Sequence, residues 1–319
     1  MVYRTSNGAT ERKKQSALFI FLKRMIQEKP LGTACAVLTI VLLLSGIFAN
    51  LIAPYGMNQT TAQIMFPISA AHWLGTDNLG RDILSRIIFG SRISVIVGLG
   101  SAAISIVISI FMGILSGYFG GTFDLVFQRF VDAWMCVPAL ILMMVVISII
   151  GPGIWQVTVV MGVWFGIVGS RIVRSATLSI RENMYVQASV AIGASHFRII
   201  TRHLLPNIMA PIIIMFTTVV PQAILIEASL SFLGYGIPPP NPSWGSMLAG
   251  SARNYMLQDP LLVIWPGLAL TIVVYGVNMF GDALRDLLDP RLKGGIGRYD
   301  SKAKMKFRFL KKVLGETEK

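Results

Sequence analysis

Few residues in this chain could do chemistry, and most fail on spacing. Gly75-Thr76-Asp77-Asn78-Leu79-Gly80-Arg81-Asp82 has the glycine separation of a phosphate-cradling loop. Such a loop needs a Lys and a Ser or Thr after its second glycine, to hold phosphate and magnesium. Arg81 and Asp82 stand there instead. Gly98-Leu99-Gly100 followed by Ala103 imitates a dinucleotide fingerprint, but it lies inside an apolar run. His72, His196 and His203 have no metal-ligand spacing. Cys35 and Cys136 both fall in apolar stretches and read as small core residues, not as a disulfide or a metal site. There is no nucleophile elbow and no paired-carboxylate site, so the sequence predicts neither a catalytic centre nor a bound metal. The chemistry that remains is mechanical. Residues 171–205 are basic and amphipathic, and a helix of that kind can seat in a partner's groove.

The elements that must position this segment follow from composition. Of 319 residues, 54% are hydrophobic and only 13% are charged. The mean hydropathy is +0.67. A soluble domain of this size needs more polar surface than that to cover its core. An ordinary soluble enzyme, a disulfide-rich module and a disordered chain are excluded. The main solvent of this chain is lipid.

Charge-free runs locate the spans, because an ionised side chain at mid-bilayer is expensive. Residues 30–76 lack Asp, Glu, Lys and Arg. Further uncharged runs lie between Arg92 and Asp124, Asp132 and Arg171, Arg202 and Glu227, and Asp259 and Asp282. A crossing takes about 20 apolar residues. The run after Asp132 is too long for one span and is interrupted by Gly151-Pro152-Gly153. Six helices are therefore predicted, at about 31–52, 94–116, 132–150, 154–171, 206–226 and 261–281. With both termini placed in the cytoplasm, 24 of the 28 Lys and Arg residues fall on the inner side. That is the charge bias expected of inner loops, and it accounts for most of the net charge of +13.

Three of the five loops are long, far beyond the roughly 2–8 residues of a minimal connection. Loop 53–92 is predicted outside and ends in a short interfacial helix, with Ile83, Ile87 and Ile88 opposite Arg81, Ser85 and Arg86. Loop 227–260 is also outside. Pro238-Pro239-Pro240, Pro242 and Trp244 should make it stiff and irregular. Loop 171–205 is inside. Its 181–203 part is helix-compatible around a central Gly193. Val190, Phe197 and Ile200 supply apolar faces, and Arg198 and Arg202 supply charge. That pattern permits a helix-turn-helix lying along the membrane surface. The chain thus divides into a segment 1–30 with an interfacial helix at 16–29, the first span and its outer loop at 31–92, a five-helix core at 93–290, and a basic tail at 291–319 that suits anionic lipid. A nucleic-acid partner is not expected, since a membrane surface is already adjacent. The acids Asp124, Asp132, Glu227, Asp259 and Asp282 sit near span ends, which disfavours an ion-coupled carrier. A membrane-anchored assembly protein without transport is a further alternative.

The inner loop carries Gln187-Ala188-Ser189, then Gly193, His203, Leu205 and Pro206. This resembles the EAA-x3-G-x9-I-x-LP signature of the binding-protein-dependent permeases of ABC importers. Gln187 stands in place of Glu, Ser189 in place of the second Ala, and His203 in place of Ile. Other stretches are similar to the dipeptide/oligopeptide branch and its C-type subunit. These are Leu51-Ile52-Ala53-Pro54-Tyr55, Gly75-Thr76-Asp77 with Gly80-Arg81-Asp82 and Ser85-Arg86, Gly117-Tyr118-Phe119-Gly120-Gly121, and Glu227 through Gly234. Pro242-Ser243-Trp244-Gly245 and Leu288-Asp289-Pro290-Arg291 complete the set.

The resemblance implies an all-α type I importer permease in the cell membrane, with no enzyme activity of its own. ATP and magnesium would be held by two separate cytoplasmic ATPase subunits. A second homologous permease chain and an extracytoplasmic binding protein would complete the assembly. Gln187, Ala188, Ser189, Gly193, Leu205 and Pro206 would form the loop that couples to the ATPase. The implied cargo is di- or oligopeptide, with nickel chelates, glutathione or oligosaccharides as alternatives within the same branch.

Overall fold

The computed structural model describes residues 24–61, 64–249 and 254–288. The expected helix at 16–29 falls mostly outside these residues, and the basic tail 291–319 falls wholly outside them. The described secondary structure is helical, apart from isolated bridges at Thr60–Arg81 and Thr76–Asp82. We number the main helices α1 (Pro30–Ile47), α2 (Ile83–Phe119), α3 (Gly121–Met135), α4 (Ala139–Ile150) and α5 (Ile154–Arg181). They continue as α6 (Met184–Ala191), α7 (His196–Ile199), α8 (Met209–Phe232), α9 (Trp244–Leu248) and α10 (Leu261–Leu288).

Five helical segments are long and apolar enough to cross a membrane. They correspond to five of the six predicted spans, with different ends. The predicted interfacial helix at 82–90 is not separate. It is the first turns of α2, started by Asp82, whose side chain accepts from Ser85 N. The fourth span likewise runs on to Arg181. The predicted third span, 132–150, is not one straight helix. α3 and α4 meet at a bend of 86°. Pro138 is the cause: it has no N–H to donate and it biases the preceding residue away from helical geometry. Cys136 consequently sits exposed at the bend, not inside a span; Cys35 is partly buried, and both thiols are free.

The spine of the fold is the pair α2–α5. Ser101 Oγ donates to Thr158 O at 3.0 Å, and Ser109 Oγ to Gly166 O at 2.8 Å. Small residues permit this approach. A Cβ on Gly113 would stand 2.6 Å from Ser170 O, and one on Gly166 would stand 2.7 Å from Ile108 Cβ. These are the small-xxx-small contacts that let helices pack closely where lipid supplies no hydrophobic drive. Val97, Ala102, Val157, Met161, Ala223 and Val273 fill the main core between α2, α5, α8 and α10.

The loop 233–249 folds back over this core. Trp244 is buried and donates Nε1–H to Ile87 O at 3.1 Å. Ser243 caps α9 through a reciprocal capping box with Ser246. Glu227 is buried near the C-terminal end of α8 and accepts from Ser231 Oγ at 2.6 Å. The loop is irregular from Gly234 to Ser243, as the prolines require, and then rigidly anchored.

Candidate functional site: a helical hairpin between α5 and α8

Between α5 and α8 the chain forms a hairpin. Asn183 closes the end of α5 by donating Nδ2–H to Ser179 O and Ile180 O. The first arm, α6, carries Gln187, Ala188 and Ser189. Gln187 and Ala188 are exposed. Gln187 Nε2 donates to Glu182 O at 3.2 Å, and Ser189 Oγ donates to Tyr185 O at 2.8 Å.

α6 ends on a Schellman-type turn. Gly193 N–H donates to Val190 O at 2.9 Å and Ala194 N–H to Ser189 O at 3.0 Å. Gly193 has φ +78°, in the left-handed region that glycine enters without steric cost. Nothing lies within 4 Å of where its Cβ would be, so the requirement is conformational and not spatial. Ser195 then caps the second arm by accepting from Arg198 N.

That arm is α7, followed by a wide π turn at Ile200–Leu204 and a tight 3-10 turn at Leu205–Ile208. Leu205 N–H donates to Ile200 O, five residues back. The widening answers Pro206, whose ring would strike the carbonyl of Arg202 in an ordinary helix. Asn207 Nδ2 donates to His203 O at 2.6 Å and occupies one of the carbonyls this leaves free. The expected span start at 206 is therefore a change of helical winding within one continuous rod, His196–Phe232.

The hairpin is clamped to the spans on one side. Val186, Ile199, Leu204 and Ile208 are buried with Ile114, Tyr118 and Val173 of α2 and α5, and Leu205 packs against the same cluster. The arms meet where Ser189 Oγ lies 3.4 Å from His203 Nε2. Away from that cluster, large apolar side chains stand exposed. Met184 is 88% exposed, Ile192 85% and Phe197 77%. Arg198 and Arg202 are exposed beside them. Exposed apolar side chains with cations close by in the chain, on a hairpin held to the spans, suit a groove with acidic edges.

Of the six residues singled out in the sequence, Gln187, Ala188 and Ser189 lie on the first arm, Gly193 makes the turn, and Leu205 and Pro206 stand at the change of winding inside the rod that becomes α8. Sequence reasoning missed the contacts that tie the hairpin to α2. Tyr118 Oη lies 2.8 Å from His196 Nδ1. Arg181 Nη1 donates to Gly117 O at 3.2 Å and Tyr118 O at 3.0 Å. Behind them Asp124 pairs with Arg174 and accepts from Ser116 Oγ. The sequence marks the Gly117-Tyr118-Phe119 stretch, Asp124 and His196 separately, and nothing in their spacing pairs Tyr118 with His196.

Residues 105–294 match the model of the binding-protein-dependent transport system inner membrane component. The matched stretch contains the entire hairpin.

The chain belongs to this family.

Relatives extend the match beyond that stretch. The dipeptide transport system permease DppC of Alkalihalophilus pseudofirmus is 35% identical over 272 residues, covering 85% of this permease and 89% of its own length. The glutathione transport system permease GsiD of Pectobacterium atrosepticum is 35% identical over 275 residues, covering 86% and 91%. A Brucella suis protein is 40% identical over 259 residues, covering 80% and 87%. Among solved structures, a chain of the MetNI methionine ABC transporter in an inward-facing conformation superposes with TM-score 0.53 at 19% identity. It covers 64% of this permease and 96% of that chain, which establishes the shared fold. The permease is thus an all-helical, multi-span membrane component of a binding-protein-dependent transport system.

Proposed function

We propose that this permease forms half of the translocation pathway of an ATP-driven importer of short peptides. The observation that carries the reading is the hairpin, with its exposed Met184, Ile192 and Phe197 held on a buried base at one end of the bundle. Such a surface serves to receive force from a partner. Two cytoplasmic ATPase subunits, which hold ATP and magnesium, seat this hairpin through Gln187, Ala188, Ser189 and the turn at Gly193. A second homologous permease completes the pathway, and an extracytoplasmic binding protein delivers cargo. Both termini face the cytoplasm, supported by the 24 basic residues assigned to that side.

The similarity to dipeptide and glutathione permeases supports small peptides as the cargo class. The experiment is uptake into vesicles holding the complete importer. Uptake of labelled peptide should need both internal ATP and the binding protein. Uptake driven by a proton gradient without ATP overturns the reading.

A further inference from the structure

At the outer end of α2 the two outer loops close on a pocket of about 250 Å³. Asp77, Arg81 and Arg86 line it from one side, and Asn241, Ser246 and Met247 from the other. Arg86 is only 8% exposed. Its Nη1 donates to Met57 O at 3.1 Å and Asn58 Oδ1 at 3.2 Å. Its Nε lies 3.6 Å from Asp77 Oδ2. That carboxylate is already engaged. Asp77 Oδ2 accepts from Arg81 Nε at 2.7 Å, and Oδ1 accepts from Leu79 N and Arg81 N. The neighbouring Asp82 faces elsewhere, held by His72 Nδ1 at 2.9 Å and by Ser85.

Two guanidinium groups therefore share one carboxylate. Among the described residues, no other acid pairs with either arginine. A buried cation with half a counter-ion carries a desolvation cost that a second carboxylate would relieve. Guanidinium donors in a fixed fork match a carboxylate in geometry as well as charge.

The geometry points to a socket for an Asp or Glu side chain presented by the extracytoplasmic binding protein, an assignment that rests on the importer reading above. Size favours a single side chain. The pocket is smaller than the roughly 300–1,000 Å³ that usually encloses a small-molecule ligand. Its setting favours a protein. The first loop also exposes Ile68, Trp73 and Leu79, and the second exposes Leu257. Arginine and exposed aromatic residues together are the composition of an interface centre. The socket would orient the binding protein over the pathway before cargo is released.

The test uses the complete importer in vesicles and titrates the binding protein against peptide uptake. Arg81→Gln, Arg86→Gln and Asn241→Asp are compared with wild type. Among the described residues Asn241 makes no side-chain hydrogen bond, and it lines the pocket from the opposite loop, so its variant guards against misfolding of the arginine variants. The half-saturating concentration of binding protein should rise about tenfold in each, with maximal uptake little changed and a weaker dependence on salt. Unchanged half-saturation in all three overturns the assignment. So does a wild-type preference for free-acid over C-terminally amidated peptide that the variants abolish, because the socket would then hold cargo. Wild-type uptake that ignores the binding protein overturns the importer reading itself, whereas normal wild-type behaviour with indifferent variants overturns only the socket.

Discussion

Tyr118 at the C-terminal end of α2 and His196 at the start of the hairpin's second arm are joined by a hydrogen bond of 2.8 Å between Oη and Nδ1. Their rings also meet edge to face, with centroids 5.6 Å apart. They are 78 residues apart in sequence. The bond ties the exposed face of the hairpin to a helix that crosses the membrane and ends at the outer pocket. A displacement of the hairpin must move α2 or break this contact.

Tyr118→Phe tests that tie. The ring packing stays and the hydrogen bond goes, at a cost of about 1 kcal/mol. Peptide transported per ATP hydrolysed should fall several-fold while the folded protein melts near its normal temperature. His196→Ala should act similarly, and the double variant should add little, because both remove one interaction. Full additivity would show that the two residues act separately.

Gly193→Leu should uncouple hydrolysis from uptake. A left-handed residue other than glycine costs about 1–2 kcal/mol, and the turn would relax by moving one arm. Gly193→Asn should be milder, since Asn tolerates this region. Normal transport by the Leu variant would remove the turn from the coupling path.

Phe197→Asp and Ile192→Asp address the bare face. Both side chains are exposed, so thermal stability should change by no more than about 0.5 kcal/mol. Co-purification with the ATPase subunits should drop sharply, because a carboxylate replaces an apolar anchor. Retained association would move the docking surface elsewhere.

Gly113→Val probes the spine. The new Cβ would fall 2.6 Å from Ser170 O and from Val173 Cβ. Overpacking of this kind costs about 1–3 kcal/mol or more. A lowered melting temperature in detergent, with the hairpin variants unaffected, is the expected pattern.

Much of the architecture is legible in the sequence because lipid imposes a severe filter. A span must be apolar along its whole length, so charge-free runs mark α1, α2, α5, α8 and α10 directly. The glycine pairs at 113/117 and 162/166 announce close helix contacts for the same reason. The third span is legible as an apolar run, but its bend is not, because hydropathy ignores backbone geometry. Pro138 is uncharged like its neighbours, so it leaves the run intact, yet the chain turns by 86° there. The outer interfacial helix was misjudged because a charged turn and an apolar one read as separate elements, although Asp82 caps them as one helix.

The sequence by itself determined that this protein lives in lipid, which way its loops are biased, and that a glycine-centred amphipathic hairpin interrupts its spans. Each rests on local composition and spacing, which a chain cannot hide. Only the tertiary structure decided that Tyr118 meets His196, that Arg181 holds the carbonyls of Gly117 and Tyr118, and that Arg81 and Arg86 share Asp77 beneath Asn241. Those pairings join residues far apart in sequence. They depend on how α2, α5 and the outer loops pack, and no periodicity in the chain encodes which distant side chain fills which place.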